Sequence, residues 1–234
     1  MKRRWVIPDI HGYVNTLRQL IENVIQVDKE DSLYFLGDYI DRGPDGKSVI
    51  DYIMSLQDQG YDIHYLIGNH EDYCIKSYEL DQNRWFGKSV VHREWERYGA
   101  KATLASFGVS RPRKIDEKYI EWMRKGEFFI ELDNYILVHA GLNFNISNPF
   151  EDINSMMWVR DFKVDVAKTG GKKIIHGHVP VEYSLIETLI HSNSYNFIAL
   201  DNGIYYKNAR DGFGNLMALN IDTMELLAQP NIDF

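Results

Sequence analysis

The chain has one cysteine, Cys74, among its 234 residues, so no disulfide bond can form within it. Nothing in the flanking sequence suggests a lowered thiol pKa, and we expect Cys74 to be an inert structural residue rather than a nucleophile. Long apolar runs are also missing, because no segment approaches the roughly 20 residues that cross a bilayer. The apolar stretch at residues 5–8 is too short for a signal peptide. We therefore expect a cytoplasmic protein without a membrane partner.

The chain also has fewer basic than acidic residues. The 26 lysines and arginines are outnumbered by 34 acidic residues, which gives a formal net charge of −8 at pH 7. A nucleic-acid partner is therefore not expected, since binding to a polyanion needs a basic face. A small phosphorylated substrate is compatible with this charge, because bound divalent cations reverse the local sign. With 44% hydrophobic residues, the chain suits one globular domain over residues 1–234.

In the first half of the chain, short apolar runs alternate with amphipathic stretches. Residues 4–8, 33–36 and 63–67 are predicted strands. Residues 14–27 and 49–56 carry apolar side chains at helical spacing, which predicts two helices between those strands. This order is typical of parallel strands with helices on the faces of the sheet, and it predicts an α/β fold.

Residues 74–125 differ in character, because they are rich in charged and aromatic side chains such as Trp95 and Trp122. We interpret this segment as a helical cap inserted over the sheet, with the aromatic rings packed between its helices. Strands are predicted again after residue 127, with a hairpin turn at Asp133-Asn134 and a further turn at residues 201–203. The predicted strands of this half are residues 128–132, 135–138, 173–175, 197–200, 204–207 and 216–220.

Polar segments that could bind a metal follow the predicted strands. In open α/β sheets, ligands collect at the carboxyl ends of the strands, so we expect these segments to converge on one crevice. Any single segment could be an ordinary turn or a packed histidine, but five of them together predict a metal site. The segments are Asp9-Ile10-His11, Asp38-Tyr39-Ile40-Asp41-Arg42, Asn69-His70, His139 and His176-Gly177-His178.

The chemistry of this set indicates which metals it suits. It combines carboxylates, imidazoles and an amide oxygen without a thiolate, which favours Mn, Fe or a catalytic Zn over a structural zinc. It is also too large for one tetrahedral ion. Two ions about 3.5–4 Å apart that share a bridging carboxylate would use the set fully, and such a pair activates water for attack on phosphorus.

The motifs Gly-Asp-Tyr-Ile-Asp-Arg-Gly at residues 37–43 and Gly-Asn-His-Glu at residues 68–71 carry a family resemblance. The chain resembles the metallophosphoesterase superfamily, and within it the PPP-type serine/threonine phosphatases. It is most similar to the bacterial and phage protein phosphatases, with the symmetrical dinucleoside tetraphosphatases as near relatives. The resemblance runs from about Trp5 to Leu219, and residues 98–108 and 155–160 share in it. It implies an αββα sandwich with a helical cap.

The resemblance also implies roles for individual residues. The reaction would be direct attack of a metal-bridging hydroxide on phosphorus, with Mn the favoured metal and Fe or Zn as alternatives. His70 would be the general acid, oriented by Asp41. Arg42 and Arg160 would bind the phosphate oxygens, since a guanidinium offers paired donors. The implied metal ligands are Asp9 and His11 for the first ion, Asp38 as the bridge, and Asn69, His139 and His178 for the second.

Three functions are compatible with these motifs. The first is a phosphatase that acts on phosphoserine or phosphothreonine in proteins. The second is a symmetrical dinucleoside tetraphosphatase, a nucleotide enzyme that would use the same metals to cleave dinucleoside polyphosphates. The third is a binding or scaffold protein on an inactivated phosphoesterase fold, against which the complete ligand and arginine set argues. The first is our main hypothesis from the sequence, and the second is its alternative.

Several positions depart from the family's pattern or lack a motif. Pro8 stands where the first motif usually begins with glycine, and Val179 stands where the bacterial enzymes usually have threonine. His176 is expected to support the site rather than bind a metal. His92 has no motif around it, so solvent exposure is the default expectation. Glu71 is expected to support the start of the helix that follows Asn69-His70, because acids suit a helix N-terminus.

Overall fold

The computed structural model describes residues 2–207 and 209–233. Within these residues, nine strands form two sheets. The five-stranded sheet has the order β3-β2-β1-β8-β9, and the four-stranded sheet has the order β4-β5-β6-β7. The strands are β1 (Arg4–Ile7), β2 (Ser32–Phe35), β3 (Asp62–Tyr65), β4 (Phe129–Glu131), β5 (Tyr135–Val138), β6 (Lys173–His176), β7 (Phe197–Ala199), β8 (Asn215–Asn220) and β9 (Glu225–Pro230).

The helices connect these strands and cover the outer faces. The first begins as an α-helix, α1 (Val14–Arg18), and continues as a π-helical segment, Gln19–Ile25. In the described ranges, no helix is long and apolar enough to cross a membrane. The other helices are α2 (Gly46–Asp58), α3 (Asn69–Gln82), α4 (Val90–Trp95), α5 (Ala100–Ser106), α6 (Glu117–Arg124), α7 (Ile153–Trp158) and α8 (Tyr183–His191), with 3₁₀ turns at Pro112–Lys114, Pro149–Glu151 and Ile204–Tyr206.

Parallel pairing in the centre of each sheet follows from the apolar runs. In the larger sheet, β1 pairs in parallel with β2, and β2 with β3. Strand β8 runs antiparallel to β1 on its other side. In the smaller sheet, β5, β6 and β7 are parallel, and β4 joins β5 as a hairpin through Asp133-Asn134. Strands buried on both faces read as continuous apolar runs, which is why the sequence shows them clearly.

The two faces of β1 and β2 belong to different hydrophobic cores. Trp5 and Phe35 pack with the helices α1 and α2 in one cluster. Their neighbours Val6 and Tyr34 point the other way and share a cluster with Ile175 and other residues of the smaller sheet. The outer face of that smaller sheet packs against α7 in a third cluster. The layers are therefore helix, sheet, sheet and helix, which confirms the predicted αββα sandwich.

Three sequence predictions fail, two in the C-terminal part of the chain and one in the cap. Residues 204–207 are not a strand: Ile204–Tyr206 is a 3₁₀ turn closed by a 2.8 Å hydrogen bond from Tyr206 N–H to the carbonyl of Gly203. Strand propensity of Ile-Tyr-Tyr is overridden there by the left-handed Gly203 before it. Strand β9 was not predicted. His92 is buried rather than exposed, because it packs beside Trp95.

Candidate metal centre and phosphoester site

The polar segments after five strands meet at one edge of the sandwich, around the carboxylate of Asp38. Asp38 Oδ2 lies 3.7 Å from His11 Nε2, 3.8 Å from His70 Nε2 and 3.5 Å from His139 Nε2. All four residues are buried. These contacts are too long for hydrogen bonds. They suit atoms that bind a shared cation, since two ligands each about 2 Å from a metal lie roughly 3–4 Å apart.

The loops that carry these residues are held in strained conformations. His11, Asp38 and His178 have φ angles of 50°, 54° and 66°, in the left-handed region that non-glycine residues rarely adopt. The backbone N–H groups of Ile10 and His11 both donate to the carbonyl of Asp38, at 3.0 and 2.8 Å. A Cβ on Gly68 would lie 2.2 Å from Asp38 Oδ1, so only glycine fits there. Strain of this kind clusters at functional sites.

The side chain of Glu71 fixes the backbone of the loop that carries Asp38. Its buried carboxylate accepts hydrogen bonds from the backbone N–H groups of Asp38 and Tyr39, both at 2.9 Å, and of Ile40 at 3.2 Å. It also accepts from Gly68 N–H at 3.1 Å, which confirms its predicted role at the start of α3. Burial, aided by the charge of Asp38, raises the pKa of Glu71 to about 7. The loop anchoring was not apparent from the sequence.

The histidine rings present lone pairs to the centre of the cluster. His11 Nδ1 lies 3.0 Å from the carbonyl of Ile40, and His139 Nδ1 lies 2.8 Å from the carbonyl of Leu36. A carbonyl only accepts, so each Nδ1 carries a hydrogen, and in the neutral form of such a ring Nε2 has a free lone pair. The Nε2 of His139 then faces Asn69 Oδ1 at 3.0 Å, acceptor against acceptor. A cation between them would relieve this repulsion, so the donor set fits a metal.

Two groups of ligand-type residues share Asp38. One consists of His11, Asp38 and His70, and the other of Asp38, His139 and His178; in each group the ligand atoms lie within 4.8 Å of one another. Asn69 Oδ1 joins the second group, at 3.0 Å from His178 Nδ1. This sharing suits Asp38 as a bridge between two cations.

Asp9 completes the arrangement from the end of β1. Its carboxylate accepts from His178 N–H at 3.0 and 3.1 Å, and its Oδ2 lies 4.0 Å from His11 Nε2. Pro8 precedes it, directly after Ile7 at the end of β1. Its missing N–H is therefore not needed in the strand ladder.

His70 differs from the other histidines of the cluster. Its Nδ1 lies 2.6 Å from Asp41 Oδ2. Burial by itself would lower its pKa, but the charge of Asp38 and the hydrogen bond to Asp41 raise the pKa of His70 to about 9. By contrast, burial and the neighbouring His139 lower the pKa of His178 to about 3. A protonated His70 carries hydrogens on both ring nitrogens, which suits a proton donor better than a metal ligand.

Two residues of the helical segment fix the Asp41 carboxylate. Trp95 Nε1–H donates to Asp41 Oδ2 at 2.6 Å, and the Thr103 hydroxyl donates to Asp41 Oδ1. The backbone N–H of Asp41 in turn donates to Thr103 Oγ1 at 3.0 Å. Sequence reasoning assigned Trp95 only a packing role and missed Thr103. The signal available was that the N–H of a buried tryptophan needs an acceptor.

Arg42 and Arg160 are exposed side chains at the rim of this cluster. The guanidinium carbon of Arg42 lies 4.0 Å from the ring centroid of Tyr205. That ring stands edge-on to His11, with centroids 5.5 Å apart. The charge of Arg160 helps to lower the pKa of His178, which shows that it is near the second group of ligands. Sequence reasoning did not identify Tyr205.

The remaining candidates lie around this centre. His176 belongs to neither group of ligand-type residues; its Nδ1 is 3.1 Å from the carbonyl of Gly177, and burial lowers its pKa to about 4. Asp201, predicted only as a turn residue, is fully buried, and its pKa is raised by burial and by the charge of Asp9. Cys74 is buried, and burial raises the pKa of its thiol.

Comparisons with known proteins agree with this geometry. The model of the family described as calcineurin-like phosphoesterase matches residues 2–215. The asymmetrical bis(5'-nucleosyl)-tetraphosphatase PrpE of Oceanobacillus iheyensis is 26% identical over 204 residues, which cover 75% of this chain and 76% of that protein. A symmetrical bis(5'-nucleosyl)-tetraphosphatase of Buchnera aphidicola is 28% identical over 200 residues, which cover 84% of this chain and 60% of that protein.

Among solved structures, the crystal structure of a putative diadenosine tetraphosphatase superposes with a TM-score of 0.61 at 18% identity, covering 98% of this chain and 94% of that one. At this identity the match shows a common fold. The chain spans about 60% of the length of the symmetrical enzyme from Buchnera.

Proposed function

Because the chain belongs to the calcineurin-like phosphoesterase family, we propose that this metal-dependent phosphoesterase hydrolyses dinucleoside polyphosphates. The observation that carries the metal-dependent phosphoesterase chemistry is the pair of ligand groups that share the buried Asp38. The two curated relatives named above favour this substrate over a phosphoprotein, since both are named as bis(5'-nucleosyl)-tetraphosphatases. The main hypothesis from the sequence, a serine/threonine phosphatase, thus gives way to its alternative.

Two divalent cations would occupy the cluster, with Mn favoured and Fe or Zn as alternatives. They would supply a Lewis acid that activates water and offsets the charge of the phosphate chain. His11 and His139 offer lone pairs fixed by their carbonyl partners, so little reorganisation is needed on binding. We assign Asp9 and His11 to the first cation, Asp38 to both, and Asn69, His139 and His178 to the second.

His70 is assigned the proton transfer. Its Nε2 points toward Asp38 Oδ2 at 3.8 Å, beside the space in which the phosphate would lie. Its Nδ1 is held by Asp41, so the ring cannot turn away. The departing oxygen of the nucleotide gains negative charge as its bond to phosphorus breaks. A proton from His70 offsets that charge and lowers the free energy of the transition state.

Arg42 and Arg160 are assigned to the phosphate oxygens. Both guanidinium groups are exposed at the rim, where incoming phosphates first meet the protein. A tetraphosphate carries several negative charges, and the chain as a whole is acidic. These two side chains therefore supply local positive charge that complements the substrate and the growing charge of the transition state.

Parallel kinetics with Mn test the substrate class. We expect kcat/KM for a dinucleoside tetraphosphate to exceed that for a phosphoserine peptide by about a hundredfold or more. The products report the cleaved bond, since symmetrical cleavage gives two nucleoside diphosphates and asymmetrical cleavage gives a triphosphate and a monophosphate. Faster turnover of the peptide would contradict the proposal and restore the protein phosphatase hypothesis.

A further inference from the structure

A cavity of about 330 Å³ opens beside the proposed metal centre. Two of its lining residues adjoin the centre: Arg160, assigned above to phosphate binding, and Val179, which directly follows His178. A group attached to a phosphate at the centre can therefore extend into the cavity. The volume lies at the low end of the range of about 300–1,000 Å³ for small-molecule pockets. This is room for one nucleoside-sized group and not for a whole dinucleotide.

Four aromatic rings form one part of the cavity wall. Phe162 stands 5.2 Å from His176 and 6.0 Å from Phe197 between ring centroids, and Tyr195 stands 6.0 Å from Phe197. Leu185 and other aliphatic side chains line most of the rest, and the charged residues Arg160 and Asp161 complete the wall. A concave wall of rings suits a flat aromatic group, which gains from stacking as well as from leaving water.

The wall also holds one unsatisfied polar atom. His176 Nε2 is buried and has no hydrogen-bond partner within residues 2–207 and 209–233. Buried polar atoms without hydrogen-bond partners are uncommon in folded proteins, and each usually has a structural or functional reason. The polar edge of a nucleobase, which carries both donors and acceptors, could satisfy this nitrogen after a small turn of the ring. Val179, at the position where a threonine is usual, keeps the mouth of the cavity apolar.

We propose that this cavity binds the base of one nucleoside while Arg160 holds the phosphate attached to it. The proposal rests on the function proposed above and names the part of the protein that selects nucleotides from other phosphoesters. Phe162, Tyr195 and Phe197 supply the stacking wall, and Arg160 links the base site to the phosphate site.

Binding of two monophosphates separates the base from the phosphate. With the Mn-loaded protein, isothermal titration calorimetry would compare adenosine 5'-monophosphate with ribose 5-phosphate, which lacks the base. We expect the nucleotide to bind about 5- to 100-fold more tightly, the range typical of one stacked base. Leu185→Trp should fill the mouth of the cavity from the exposed face of α8 and abolish the difference, and Tyr195→Ser should reduce it. Leu80→Trp, the same change on the exposed face of α3, is the matched control.

Equal affinity of the wild-type protein for the two monophosphates would overturn the cavity proposal. So would a cavity-dependent gain in affinity for a phosphoserine peptide with an aromatic neighbour but none for the nucleotide, since the cavity would then serve peptides. Turnover tests the two proposals separately. If a dinucleoside tetraphosphate and its abasic analogue, bis(5'-ribosyl) tetraphosphate, are hydrolysed equally well, the function stands and the cavity proposal falls. A base-dependent affinity without tetraphosphate hydrolysis supports the cavity and refutes the proposed function.

Discussion

The carboxylate of Asp41 joins His70 of the candidate metal centre to Trp95 of the helical segment. One oxygen of Asp41 lies 2.6 Å from both His70 Nδ1 and Trp95 Nε1. The other accepts from the hydroxyl of Thr103. Trp95 and Thr103 thus fix the Asp41 carboxylate, which in turn fixes the ring of His70. They do so although they lie 54 and 62 residues along the chain from Asp41. The orientation of the proposed general acid therefore depends on the helices α4 and α5.

Replacing His70 by asparagine should lower kcat by about 10²–10⁴-fold for substrates with a poor leaving group, because no proton reaches the departing oxygen. An activated aryl phosphate should lose far less, since its leaving group hardly needs a proton. The measurement is kcat for an alkyl phosphoester and an aryl phosphate on the same folded variant. An unchanged kcat for the alkyl ester would show that His70 is not the acid.

Trp95→Phe should lower kcat by about 10–100-fold while KM stays near its wild-type value, because Asp41 loses one donor and holds His70 less firmly. The matched control is Trp122→Phe, which removes an indole that donates to Gln57 instead, at 3.0 Å. A merely structural role for Trp95 would show as lost stability with normal kcat. The pH profile of kcat in the two variants distinguishes these cases.

Asp38→Asn should remove most of the bound metal, because the bridging charge is common to both proposed cations. Metal content of the purified protein, measured after dialysis against Mn, should fall from about two ions per chain toward zero. Asp45→Asn is the control, since Asp45 caps α2 at 3.0 Å from Ser48 N and takes no part in the cluster. Full metal content in Asp38→Asn would refute the bridging role.

Asp81→Asn should destabilise the protein near neutral pH by about 1.5–3 kcal/mol, the usual value for hydrogen bonds to a charged group. Asp81 lies on α3 and accepts from Arg111 Nε at 3.1 Å.

Burial tends to raise the pKa of Asp81, but the hydrogen bond from Arg111 outweighs it and lowers the pKa below the usual range. A lowered folded-state pKa stabilises the fold above the unfolded value of about 3.9, and that contribution is lost as the pH falls through the folded value. Urea unfolding should therefore show a gap between wild type and variant at pH 7 that narrows below about pH 3.9. A gap that stays constant with pH would contradict this account.

Much of the fold and of the candidate site was apparent from local patterns. Strands β1 to β8 were all predicted, because most of them are apolar runs followed by turn residues. The polar residues that follow such runs, Asp9, Asp38 and Asn69 among them, meet in the structure because the carboxyl ends of parallel strands share one edge. The carboxylate, imidazole and amide groups of these residues then predicted a cation site before any distance between them was known.

The amino-acid sequence by itself therefore determined which residues could form a metal centre, since ligand type and strand position are local properties. Only the tertiary structure decided that Trp95 and Thr103 hold Asp41 and that Glu71 anchors three successive N–H groups. It also decided that Ile204–Tyr206 is a 3₁₀ turn and that residues 225–230 form a strand. These features arise from contacts between distant parts of the chain, whose energies outweigh the weak local preferences that a sequence displays.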